Sequence, residues 1–76
     1  MNYHRRKELN TLADRLRDLH TDVETVRDEE QEYIDYMPEN LQGGERYEKA
    51  EAAVYVMEEA LSQIEEAISN IEEATE

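Results

Sequence analysis

Apolar residues recur in alternating steps of three and four along two stretches of this chain, and one break separates them. The first run reads Leu9, Leu12, Leu16, Leu19, Val23, Val26, Glu30, Tyr33, Met37. The second reads Tyr47, Ala50, Val54, Met57, Leu61, Ile64, Ile68, Ile71, Thr75. Steps of three and four keep side chains on one stripe of an α-helix, and about four heptads of such a stripe predict coiled-coil-like packing. Between the runs lie the only proline, Pro38, and both glycines, Gly43 and Gly44. Proline disfavours the helical region for the residue before it, and Asn40 with the glycines permits a reversal. Two runs of nearly equal length joined by a short turn predict an all-α fold, an antiparallel two-helix hairpin. The expected bounds are a helix over about 3–37, a joint over about 38–44 and a helix over about 45–75. Each helix would be about 45–50 Å long. The whole chain, 1–76, reads as one domain.

Such a hairpin buries only one narrow seam, and 76 residues place it where a single core gives little net stability. There is no cysteine, so disulfides and thiolate zinc sites are excluded. A second copy is one remedy, and the hairpin is compatible with a homodimeric four-helix bundle. Ala53, Ala60, Ala67 and Ala74 recur every seven residues beside the second stripe, a row of small side chains that lets another helix come close. Glu30 stands alone as an acid within the first stripe, either fixing its register or marking where the helices splay.

Charge is large and unevenly distributed. The formal net charge is −13; residues 1–17 carry five Lys/Arg against two acids, and the remainder carries three against nineteen. Arg5, Arg6 and Lys7 occupy a first helical turn and Glu72, Glu73 and Glu76 a last one. Each set is unfavourable to its own helix dipole. In an antiparallel hairpin the two ends are neighbours, and the sequence predicts that these charges match. So acidic a surface repels nucleic acid and anionic membranes, which argues against direct binding to either. No apolar run approaches the ~20 residues that span a bilayer, and Met1–Ala13 lacks the apolar stretch of a signal peptide. The expectation is a soluble protein in the cytoplasm of a host cell.

Groups that carry chemistry are sparse. His4 and His20 are too far apart to share a metal, and no further ligand types gather near them. Asp14, Asp18 and Asp22 lie on one helical face, without the turns and backbone oxygens of a calcium loop. Ser62 and Ser69 lie on an acidic outer face with no base beside them. Gly43-Gly44 follows no strand and reads as a helix start rather than a phosphate cradle. The sequence therefore predicts neither an enzyme nor a cofactor or metal site.

What remains is the joint. Ile34, Tyr36, Leu41, Tyr55 and Val56 fall outside the stripes and gather there, beside Met37 and Tyr47. An apolar and aromatic cluster at one end of an acidic rod is the pattern of a protein–protein contact. These seven residues are the candidate partner-binding surface. Glu58, Glu59, Glu65, Glu66, Glu72 and Glu73 form a second candidate, an acidic face of seven-residue period. That face either serves solubility or imitates nucleic acid toward a DNA- or RNA-binding protein. A purely structural, self-associating bundle is the third possibility.

Within Arg27–Ala74, the run DEEQEYIDYMPENLQ carries the pattern D-E-E-Q-E, an aromatic, then M-P-E-x-L-Q. It resembles short helical proteins encoded by phages and prophages of Firmicutes. The resemblance spans roughly two-thirds of the chain and implies a phage or mobile-element setting but no particular activity; in such a setting the protein bound through the joint would be a host or defence protein. It carries no catalytic residues. Gly44 stands where a serine helix cap would be expected in that pattern, which leaves the second helix less well capped.

Overall fold

The computed structural model describes residues 1–76. Helix α1 spans Tyr3–Asp35, a single 3₁₀ turn spans Glu39–Leu41, and helix α2 spans Glu45–Ala74. There are no strands. The two helices run antiparallel in a rod of 60 × 14 × 13 Å.

Local chemistry sets the ends. The Asn2 side chain accepts a hydrogen bond of 2.8 Å from the Arg5 N–H and caps α1. That helix closes at Asp35, two residues short of the expected boundary. Tyr36 has already left the helical region at φ −92°, ψ 3°, ahead of the Met37–Pro38 bond that disfavours helix. The Gln42 amide donates to the Met37 carbonyl at 3.1 Å and ties the turn to the end of α1. Gly43 adopts φ +88°, the left-handed region that costs other residues steric strain. Gly44 caps α2 with no side-chain hydrogen bond. At the far end the Thr75 hydroxyl donates to the Glu72 carbonyl at 2.8 Å.

Five residues are buried: Ala13, Ile34, Ala50, Val54 and Leu61. Burial of Ile34, Val54 and Leu61 contributes roughly 1.5–3 kcal/mol each. On α2 the seam follows the stripe read from sequence, from Tyr47 to Thr75, every member buried or half-buried.

On α1 the seam differs from the expected stripe. Leu9, Leu16, Val23, Glu30 and Met37 face α2 as expected and are half-buried. The residues that alternate with them are Ala13, His20, Arg27 and Ile34. Leu12, Leu19, Val26 and Tyr33 each lie one position before these and remain 41–54% exposed. The helix is therefore rotated so that its apolar stripe is shared between the seam and one outer flank. Three polar contacts across the seam accompany this rotation. His20 Nε2 lies 3.1 Å from Glu65 Oε1, Arg27 Nη1 lies 3.7 Å from Glu58 Oε1, and the Arg17 guanidinium pairs with Glu72. Each contact joins α1 to the row of glutamates on one edge of α2.

These contacts also fix the register, which overturns the expected matching of charges at the open end. Arg17 is level with Glu72, so the first two turns of α1 extend past the end of α2. Arg5, Arg6 and Lys7 lie on this overhang, and none of them forms an ion pair.

Candidate functional site

The rotation of α1 divides the joint residues among three environments. Ile34 is buried at 7% exposure and packs with Ala50 and Val54, so it belongs to the core and not to an outer surface. Tyr47 is half-buried against that cluster, as is Met57. Tyr55 is exposed on the edge that carries Gln31, Glu51 and Glu58. Tyr36, Met37 and Leu41 gather on the opposite edge, and the helical phase of α2 places exposed Val56 on that same edge.

This second edge contains an open groove of about 800 Å³ at the joint. Its apolar wall is Tyr33, Tyr36, Met37, Pro38 and Leu41. Tyr36 is 79% exposed, the most accessible large apolar side chain of the chain. Glu29, Glu32 and Glu45 rim the groove, with Arg46 as the only cation. Three acids against one base give the mouth a negative field, which favours a cationic ligand beside an apolar anchor.

Six rim or wall positions were not among the candidate site residues read from sequence: Glu29, Glu32, Tyr33, Pro38, Glu45 and Arg46. The spacing of Glu29, Glu32, Tyr33 and Tyr36, steps of three, one and three, places them on one helical face and was the available signal. Tyr33 was hidden because the sequence stripe assigned it to the seam.

The acidic face also divides. Glu58, Glu65 and Glu72 are engaged by Arg27, His20 and Arg17 across the seam. Glu59, Glu66 and Glu73 form no ion pair and project to solvent. No three His, Cys, Asp or Glu side chains converge in a way that could hold a metal ion. No helix is long and apolar enough to cross a membrane. Comparison of the chain with protein-family models, curated proteins and solved structures gave no match.

Proposed function

We propose that this chain is a non-catalytic binding protein that engages another protein through the groove at its joint. The observation that carries this reading is the grouping on one edge of Tyr33, Tyr36 and Leu41, open to solvent, with half-buried Met37 beside them and Glu29, Glu32 and Glu45 on the rim. Anchoring aromatic and aliphatic side chains inside a polar rim is the usual anatomy of a protein contact. The rim charge selects a partner segment with apolar anchors and flanking Lys or Arg. In the phage or prophage setting that the DEEQE and MPENLQ run suggests, a host or defence protein is the expected target.

Nucleic-acid mimicry is the weaker fit. The net charge of −13 is spread along a rod of 60 Å, about one charge per 4.6 Å, whereas duplex DNA carries one per about 1.7 Å. Two of the six glutamates of the acidic face, Glu58 and Glu72, are moreover paired with Arg27 and Arg17 within the hairpin, and Glu65 contacts His20.

Photocrosslinking from single positions tests the proposal. A photoreactive residue at Tyr36 or Leu41, in cells that contain the target, is expected to give one defined adduct that high salt suppresses. The same residue at Ser69, on the outer face of α2, is expected to give none. Equal labelling from Ser69 would defeat the reading.

A further inference from the structure

Outside the joint, the largest unexplained feature is the flank left open by the rotation of α1. Leu12, Leu19, Val26 and Tyr33 form one row there, seven residues apart and all exposed. By the register of the cross-seam contacts, each stands at about the height of a member of the alanine row on the same flank of α2. Leu12 is level with Ala74, Leu19 with Ala67, Val26 with Ala60 and Tyr33 with Ala53. Large side chains thus line one half of this flank, and small ones line the other.

We infer that this flank is the interface with a second copy of the chain. The surface area supports such an occupant. The accessible surface is 5896 Å² for a 9.0 kDa chain. A folded monomer of that mass exposes about 4,850 Å². The excess, about 1,000 Å², belongs to the whole 60 Å rod, and it leaves room for the roughly 800 Å² that each partner contributes to a standard interface.

The side-chain sizes select the arrangement. A two-fold axis parallel to the helices sets α1 of one copy against α2 of the other, antiparallel at every neighbouring pair. Leu19 then meets the alanine step at Ala67 of the other copy, and Val26 meets Ala60. Large against small across facing rows is how helix layers interdigitate without voids.

Charge agrees with this placement. The glutamates of α2 that lack ion pairs, Glu59, Glu66 and Glu73, sit away from the flank. The row of α2 just outside its alanines is Lys49, Val56, Gln63 and Asn70, with no acid. The corresponding row of α1 contains Arg15, Asp22 and Glu29. At equal heights Asp22 meets Gln63 and Arg15 meets Asn70, so no like charges oppose each other along this rim. The packed part of the flank runs from Leu12 to Val26; Tyr33, at its joint end, stays with the groove, and the same axis brings both joint grooves to one end of the bundle. The interface does not depend on the groove having a partner.

Sedimentation equilibrium on the full chain, from micromolar to millimolar concentration, tests the inference. The expected mass is twice 9.0 kDa, falling to 9.0 kDa in Leu19→Glu/Val26→Glu with helical circular dichroism retained. If that variant loses its helicity, single-cysteine chains decide, since the protein has no cysteine of its own. An oxidised mixture of Leu19→Cys and Ala67→Cys chains is expected to give the mixed disulfide dimer. Ser62→Cys, on the other side of α2, is expected to give none. A mass of 9.0 kDa throughout, with no mixed disulfide, overturns the inference and leaves the flank to a different protein. A dimer whose mass is unchanged in a helical double variant also overturns it. A disulfide of Leu19→Cys with itself, formed at equal yield, overturns the pairing of large with small rows.

Discussion

His20 points its imidazole into the hairpin seam and meets Glu65 at 3.1 Å, while its neighbour Leu19 stays in water. This inversion of the simplest hydrophobic rule organises the molecule. It keeps the seam narrow and partly polar, and it releases a leucine-rich row to the outside.

A polar seam position can be replaced by an apolar side chain of similar size at no loss, and often with gain. His20→Leu would pack between Leu16 and Val23 along α1 and beside Ile68 of α2. The expected result is a gain of about 1 kcal/mol, or about 4–8 °C in Tm. Thermal unfolding followed by circular dichroism checks it; a loss of stability would mean that the contact with Glu65 contributes more than the packing.

The joint residues separate by their effect on stability. Ile34→Ala removes a buried side chain from the Ala50–Val54 cluster and is expected to cost about 2 kcal/mol or more. Tyr36→Ala, at an exposed position, is expected to stay within about 0.5 kcal/mol of the parent. Urea unfolding of both variants tests the division, and similar costs would contradict it.

Turn geometry gives a third expectation. Gly43→Ala forces an alanine to φ +88° and is expected to cost about 1 kcal/mol, although nothing crowds the new Cβ. Gly44→Ser supplies the missing cap, but its Cβ meets the Leu41 carbonyl oxygen at 3.2 Å. Replacing a glycine cap gains only a few tenths of a kcal/mol, so this variant is expected to lie close to the parent. Denaturant midpoints of the two variants, compared side by side, give the check.

Salt is expected to act on the two proposed surfaces with opposite signs. Raising ionic strength from about 0.01 M to 1 M shortens the Debye length from about 30 Å to about 3 Å. Two copies of net charge −13 then repel less, and self-association is expected to tighten several-fold. Binding of a cationic segment in the joint groove is expected to weaken over the same range. Sedimentation across a salt series reads the first effect, and salt-dependent crosslinking at Tyr36 reads the second.

The hairpin, its joint and the whole α2 seam were legible in the sequence. One apolar stripe with a strong period leaves no other solution, and Pro38 with Gly43 marks the reversal. The face of α1 was not legible from hydropathy. Leu12, Leu19, Val26 and Tyr33 form a purely apolar row, whereas Ala13, His20, Arg27 and Ile34 include a histidine and an arginine. Counting apolar residues favours the first row, although both rows alternate equally well with Leu9, Leu16 and Val23. The missing information was pairwise. Glu58, Glu65 and Glu72 edge the α2 seam, and only the second row, with Arg17 beside it, offers them partners. The same rotation decided which joint side chains line the groove, so Tyr33 and Ile34 exchanged the roles that the stripe assigned them.

The most direct test of this account is the set of methyl nuclear Overhauser contacts within one chain, measured in a mixture of isotopically labelled and unlabelled protein. Within-chain contacts between Ile34 and Val54 are expected, together with contacts from Leu19 and Val26 to alanines of another chain. Within-chain contacts from Leu19 and Val26 to Ile68 and Leu61, with none from Ile34 to Val54, would contradict it.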